Sequence, residues 1–149
     1  MSHGSRSILM SLIAAATLGT AQAESWQGTG PMPLDYHAYI RDFNTGDDRG
    51  LVEKWFTPDT QMITGSGIRE GHKGLNEFLA DAHNGVREII RPQVVMWDAD
   101  HIFAEIDMDF VASKARPDFV FGAMQPGDIR TVKFFAQYTV VNGKVKTLK

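Results

Sequence analysis

The chain has 149 residues, a formal net charge of -3 at pH 7, 43% hydrophobic residues and no cysteine. This length and composition predict one packed domain. The mild acidity argues against binding to nucleic acid through a basic surface, and the lack of cysteine excludes disulfides, thiolate metal ligands and a thiol nucleophile.

The N-terminus is predicted to be a secretory signal. Arg6 precedes an apolar run over residues 8–18, and Ala21-Gln22-Ala23 places small residues at the two positions that a signal peptidase recognises. The run is shorter than the roughly 20 apolar residues that a membrane-spanning helix needs. We therefore expect a secreted or periplasmic protein with three parts: a signal peptide over residues 1–23, an irregular leader over 24–33 and a single domain over 34–149.

Three helices are predicted in the first half of the mature chain, because apolar residues recur there at helical spacing. Asp48 is the expected cap of the second helix, Asn84-Gly85 ends the third, and residues 61–64 form a short strand between them. The residues that mark the three apolar faces are Tyr36, Tyr39, Ile40 and Phe43; Leu51, Val52, Trp55 and Phe56; and Leu75, Phe78, Leu79 and Ala82.

The second half changes to the pattern of strands. Residues 87–97, 102–112 and 129–141 alternate or are rich in β-branched and aromatic side chains, and Asn142-Gly143 is a turn signal. Arg91-Pro92 interrupts the first of these strands, which predicts a bulge or an edge position. The order of elements indicates an α+β domain in which a curved, mostly antiparallel sheet wraps the helices.

The strand over residues 102–110 carries three carboxylates on one face, Glu105, Asp107 and Asp109, and apolar residues on the other. Either the acidic row faces water, as is common for antiparallel sheets, or it lines a pocket. In a pocket, Asp107 and Asp109 would be close enough to raise one pKa and supply an acid and a base side by side. Lys133 on a neighbouring strand would neutralise the ionised partner.

The remaining candidates are histidines and large side chains. No two histidines have the spacing of a metal-binding face, so no metal site is expected. His83 is a candidate proton carrier at a pocket mouth, although exposure is the expectation we favour. Arg91 could bind a ligand carboxylate. Five large side chains could line a cavity for a ring-shaped ligand, and ordinary core packing is an equal alternative for them: Trp55, Phe56, Met62, Phe78 and Trp97.

The order of these elements resembles the nuclear transport factor 2-like superfamily, and within it the SnoaL-like members. The resemblance covers residues 34–148 and rests on four segments, Phe43 to Asp47, Asp48 to Phe56 followed by Asp59, Gly71 to Leu75, and Val141 to Val145. It implies a cone-shaped, curved, mostly antiparallel sheet wrapped around three N-terminal helices, with an internal pocket and commonly a dimer through the outer face of the sheet.

The resemblance also implies acid/base chemistry without a metal or other cofactor, since the family includes polyketide cyclases, ketosteroid isomerases, dehydratases and epoxide hydrolases beside members that only bind ligands. Asp109 falls where limonene epoxide hydrolase-like members carry an acid, whereas Asp107 departs from their Arg-x-Asp pair. Tyr36 or Tyr39 resembles the oxyanion donor that ketosteroid isomerases place on the first helix.

We therefore expect a cofactor-free cyclase, isomerase or dehydratase acting on a hydrophobic, oxygenated ring compound. The alternative is a secreted, non-catalytic small-molecule-binding or accessory module with the same fold. A homodimer is expected, and neither nucleic acid nor membrane is an expected partner. The expected catalytic residues are Asp109, Asp107, Tyr36 and Lys133, and the expected substrate-binding residues are Tyr39, Trp55, Phe56, Met62, Phe78, Arg91, Trp97, Glu105 and Gln137.

Overall fold

The computed structural model describes residues 25–149, so the predicted signal peptide lies outside the described residues. The described part has three helices and seven strands, as expected for an α+β domain. No helix within residues 25–149 is long and apolar enough to cross a membrane. In chain order the elements are β1 Ser25–Gly28, α1 Tyr36–Phe43, α2 Asp48–Trp55, β2 Phe56–Thr64, β3 Gly67–Glu70, α3 Gly71–Ala82, β4 Val86–Trp97, β5 His101–Ala112, β6 Ile129–Val141 and β7 Lys144–Leu148.

Aspartates cap the first two helices. The Asp35 side chain accepts a hydrogen bond from the Ala38 amide at 3.0 Å, and the Asp47 side chain accepts one from the Gly50 amide at 3.0 Å. The cap of α2 is thus Asp47, one residue before the predicted Asp48. Because Asp47 satisfies the helix end, the carboxylate of Asp48 remains available for another partner.

The strands form one seven-stranded sheet in the order β1-β4-β5-β6-β7-β2-β3. The central strands β4 to β7 are antiparallel neighbours, while the β1–β4 and β2–β7 pairs are parallel. The register between β4 and β5 shifts between Pro92 and Val94, which confirms the predicted bulge. The cone shape implied by the resemblance stays a prediction.

Two segments that we predicted to be irregular contain strands. Residues 25–28 of the expected leader pair with β4, where Gly28 leaves room for the Trp97 ring to lie against the backbone. Residues 67–70 of the expected flexible connection pair with β2. In both cases a short polar or glycine-rich segment becomes extended because a neighbouring strand offers unpaired backbone groups.

The core lies between the helices and the apolar face of the sheet. On β5 the alternate residues from Ile102 to Phe110 are buried, and on β6 Tyr138 and Val140 are buried beside them. The aromatic rings of α1 reach this face directly, since the Tyr36 hydroxyl donates to the Tyr138 hydroxyl at 3.2 Å. The sheet therefore turns its apolar row, rather than its acidic row, toward the helices.

Candidate functional site

The acidic row of β5 lies on the outer face of the sheet, opposite the buried core. There Asp109 accepts two hydrogen bonds of 2.7 Å from the Arg91 guanidinium and one of 2.6 Å from the Thr131 hydroxyl. These hydrogen bonds, from Arg91 above all, lower the pKa of Asp109 below its usual range. The alternative in which this row lines an inward pocket is therefore wrong, and the pKa of Asp109 is lowered rather than raised because the Arg91 guanidinium neutralises its carboxylate.

Lys133 also lies on the outer face, where its ammonium contacts both Glu105 and Asp107, the latter at 3.1 Å. These contacts raise the pKa of Lys133. Glu105 and Gln137 line a shallow groove of about 430 Å³ on the same face, beside the 76%-exposed Phe135 ring. A catalytic or binding role for this outer-face set stays a prediction, and the helices do not enclose it.

The two candidate tyrosines of α1 are buried in the core. Burial, with contributions from the neighbouring Tyr138, raises the pKa of both Tyr36 and Tyr39 well above the ordinary value for tyrosine. Tyr36 packs edge-on against Tyr138 with ring centroids 5.3 Å apart, and Tyr39 does so at 5.8 Å. The hydroxyl groups of both tyrosines therefore stay protonated, and that of Tyr36 is hydrogen-bonded to the Tyr138 hydroxyl inside the core.

The large apolar candidates take part in the packing of the domain. Trp55 and Phe56 are buried in the core, and Met62, Phe78 and Trp97 pack against it while partly exposed. Their placement matches the alternative of ordinary core packing, and their predicted role in substrate binding remains to be tested.

His83 occupies a different environment from the exposed one that we expected. It follows the last residue of α3, and only 15% of its side chain is exposed. Its Nδ1 atom lies 2.8 Å from Asp48 Oδ2, and its buried Nε2 atom lies 3.6 Å from Glu88 Oε2 without a hydrogen-bond partner among the described residues. The three side chains come from the residue that caps the C-terminus of α3, from α2 and from β4, and we call them the His83 cluster.

The His83 cluster has a perturbed titration. Burial alone would lower the pKa of His83, but the adjacent carboxylates of Glu88 and Asp48 outweigh it and raise the pKa to about 9. The imidazole is therefore protonated at neutral pH, with a negative carboxylate at each ring nitrogen. This is a charge-paired group that can stabilise developing negative charge nearby.

The His83 cluster borders a cavity of about 250 Å³. The cavity lies between the α1–α2 connection and the turn that joins α3 to β4. Its walls combine one aromatic ring, backbone next to glycines, and both charged and hydroxyl side chains. They comprise Phe43, Gly46, His83, Gly85, Val86, Arg87, Glu88 and Ser113.

Asn44 fixes one wall of this cavity. Its side-chain amide donates to the Ile90 carbonyl at 3.1 Å, and its side-chain oxygen accepts from the Ile90 amide at 2.8 Å. The residue that ends α1 thus pairs with β4 as a strand would, which holds the α1–α2 connection against the sheet beside the cavity.

Asn44→Ala is expected to destabilise the domain by about 1.5 kcal/mol, because it leaves two partly buried backbone groups of Ile90 without partners. Urea unfolding measures this loss. Thr45→Ala, which removes two exposed hydrogen bonds of the same connection, is the control and is expected to cost less because water can replace both. Equal stability of Asn44→Ala and the wild type would contradict the anchoring role.

Sequence analysis missed the His83 cluster because its members are far apart in the chain. One signal was present: Glu88 lies between Val86 and Ile90 in a period-two row whose other members are apolar. A carboxylate in such a row faces the core side of a strand and needs a partner. Among residues 25–149, no group of three or more metal-ligating side chains is arranged to hold a metal ion.

No family model matches the chain, and no curated protein does. Solved structures do match its fold. A candidate polyketide cyclase from Pseudomonas putida KT2440 aligns with a TM-score of 0.65 at 19% identity, covering 80% of this chain and 90% of the other. A SnoaL-like polyketide cyclase from Agrobacterium tumefaciens aligns with a TM-score of 0.59 at 13% identity, covering 76% and 84%.

A third match is an epoxide hydrolase/cyclase-like enzyme of pyran ring formation in the polyether salinomycin. It aligns with a TM-score of 0.60 at 16% identity and covers 76% of this chain and 83% of the other. These likenesses confirm that the chain has the fold of SnoaL-like polyketide cyclases. At such identities they are similarities of fold, on which very different activities are built.

Proposed function

We propose that this protein is a cofactor-free acid/base catalyst of the cyclase or isomerase type, with its reaction centre at the His83 cluster. The proposal rests above all on the Glu88 carboxylate and the raised-pKa imidazole of His83, which border one cavity. The names of the matching structures, polyketide cyclases and an epoxide hydrolase/cyclase-like enzyme, support the same reaction class.

In the proposed reaction, Glu88 removes a proton from a carbon next to a carbonyl group. The electron pair of the broken C–H bond becomes an enolate, and the positive charge of His83 stabilises it. Glu88 then returns the proton to another carbon in an isomerisation, or to the alkoxide that forms when the enolate carbon attacks a second carbonyl in a ring closure. Asp48 is a positioning residue, since it holds Nδ1 of His83.

The first step can be tested without knowing the natural substrate. Small cyclic ketones and β-keto compounds in D₂O exchange their α-protons, and we expect the protein to accelerate this exchange above the buffer rate for compounds that fit the cavity. One-dimensional proton NMR follows the loss of the α-proton signal. Exchange at the buffer rate throughout such a panel would contradict the proposal and favour the alternative of a binding module.

A further inference from the structure

One cation, Arg87, lines the cavity of the His83 cluster, and a second, Lys114, lies against the Gly85 turn that forms its wall. Arg87 lines the cavity and donates to the Asn44 carbonyl at 2.7 Å, while Lys114 donates to the Asn84 side-chain oxygen at 2.6 Å. Among residues 25–149, neither lies within ion-pair distance of a carboxylate, whereas Arg91 and Lys133 do. Both acceptors are neutral amide oxygens, so no close ion pair among these residues holds either side chain, although Asp118 lies near enough to Lys114 to feel its charge.

The backbone brings Lys114 next to the cavity wall. Gly85 lines the cavity at a φ of +82°, and a Cβ atom there would collide with the Lys114 side chain. The Ser113 amide donates to the Gly85 carbonyl at 2.9 Å, which fixes Lys114 beside this turn. Because glycine has no side chain, the aliphatic part of Lys114 lies directly on the turn that forms the wall.

The cavity also has an apolar wall. The Phe43 ring lines it and lies edge-on to His83, with ring centroids 6.1 Å apart. A volume of about 250 Å³ is small for a ligand site and suits a compound with one ring. The cavity therefore offers an aromatic surface together with Arg87, which has no ion pair within the described part of the chain.

We propose that this cavity binds a small ring compound that carries a carboxylate, with Arg87 and Lys114 binding the carboxylate and Phe43 contacting the ring. This inference rests on the proposed function for the choice of cavity, and it names the substrate class of that site. The protonated His83 offsets one of the two cluster carboxylates, so an anionic ligand meets one remaining acid of the cluster, the Arg87 cation in the cavity lining and the Lys114 cation beside the cavity wall. A guanidinium can also bind a carboxylate through two parallel hydrogen bonds.

Benzoate and its neutral analogue benzamide test the inference, because they have nearly the same shape and differ in charge. Their binding is followed by titration in two-dimensional amide NMR spectra, using the Gly46, Gly85 and Ser113 signals. We expect benzoate to shift these signals and to bind at least about tenfold more tightly than benzamide. Equal affinities, or shifts confined to other regions, would overturn the inference.

Charge-removing variants locate the contact. Arg87→Gln and Lys114→Gln are each expected to weaken benzoate binding by about tenfold and to leave benzamide binding unchanged. Arg49→Gln is the matched control, since Arg49 is exposed on α2, pairs with Glu53 and is not part of the cavity lining. The spectra also report whether each variant is folded. Benzoate affinity that survives both substitutions would overturn the inference.

Failure of the proposed carboxylate site can be distinguished from failure of the proposed acid/base reaction. Benzoate binding requires no proton transfer, so Glu88→Gln is expected to bind benzoate at least as tightly as the wild type. Binding without catalysed α-proton exchange would leave the carboxylate site in place and remove the proposed chemistry. Catalysed exchange with no preference for carboxylate-bearing compounds would support the proposed chemistry and overturn the carboxylate site.

Discussion

Glu88→Gln is expected to lower the catalysed α-proton exchange by roughly 10²- to 10⁴-fold, because an amide cannot accept the proton that a positioned carboxylate removes. The substitution keeps the size of the side chain, so loss of packing does not contribute. The rate is measured by NMR on the wild type and the variant at equal protein concentration. Glu53→Gln is the matched control, since it makes the same chemical change on the exposed face of α2.

Variants of His83 and Asp48, the other two members of the cluster, distinguish charge stabilisation from positioning. His83→Gln removes the positive charge and is expected to slow the exchange by a comparable factor. Asp48→Asn leaves the imidazole in place but weakens its orientation, so we expect a smaller loss and an altered pH–rate profile. A Glu88→Gln variant that keeps the wild-type rate would exclude Glu88 as the base.

The alternative to Glu88 as the catalytic base is a carboxylate on the outer face of the sheet, Asp109. The Asp109 carboxylate is bound by Arg91 and Thr131, which leaves it poorly suited to accept a further proton. A strong loss of exchange in Asp109→Asn, together with a neutral effect of Glu88→Gln, would place the chemistry at Asp109, the catalytic residue predicted from the sequence, although on the outer face rather than in the predicted pocket. The exposed ion pair itself is expected to add little stability, below about 1 kcal/mol.

The sequence predicted the helices and the long strands well, but it did not predict which face of the sheet packs against the helices. Alternation along residues 102–110 correctly separated the apolar from the acidic row, because side chains on a strand point alternately to two faces. Alternation does not state which face meets the helices. The deciding term is the cost of burying Glu105, Asp107 and Asp109 without enough partners, which favours the apolar row inside. The resemblance to enzymes with an internal pocket favoured the opposite orientation, which the predicted catalytic roles of Asp107 and Asp109 require.

The candidate site could be predicted only in part because it is assembled over long sequence separations. Asp48 begins α2 and His83 follows α3, 35 residues later in the chain, so no local motif joins them. Glu88 was detectable as a charged residue in an apolar row, but its partner was not. Periodicity identifies which face a residue occupies, whereas a contact between α2, α3 and β4 depends on how the elements pack.

The stability of the protein is expected to fall between about pH 6.5 and 9 through the titration of His83. The folded pKa of about 9 lies above the ordinary value of 6.5, so the protonated form is favoured by folding. The stabilisation is fully present below about pH 6.5 and is lost as the pH rises through 9. Such a rise in pKa corresponds to at most about 3 kcal/mol in the free energy of unfolding, and solvent screening reduces this contribution to about 2 kcal/mol.

Urea unfolding at pH 6, 7.5 and 9.5 measures this loss, and the comparison with His83→Gln isolates it from other titrating groups. The wild type is expected to lose about 2 kcal/mol more than His83→Gln over this range. His101→Gln is the control, because His101 is the partly exposed first residue of β5, away from the His83 cluster, and the variant should follow the wild-type profile. Parallel profiles for the wild type and His83→Gln would mean that the two carboxylates do not hold the proton. The imidazole would then be neutral at pH 7, and the charge that the proposed reaction requires at the cavity would be missing.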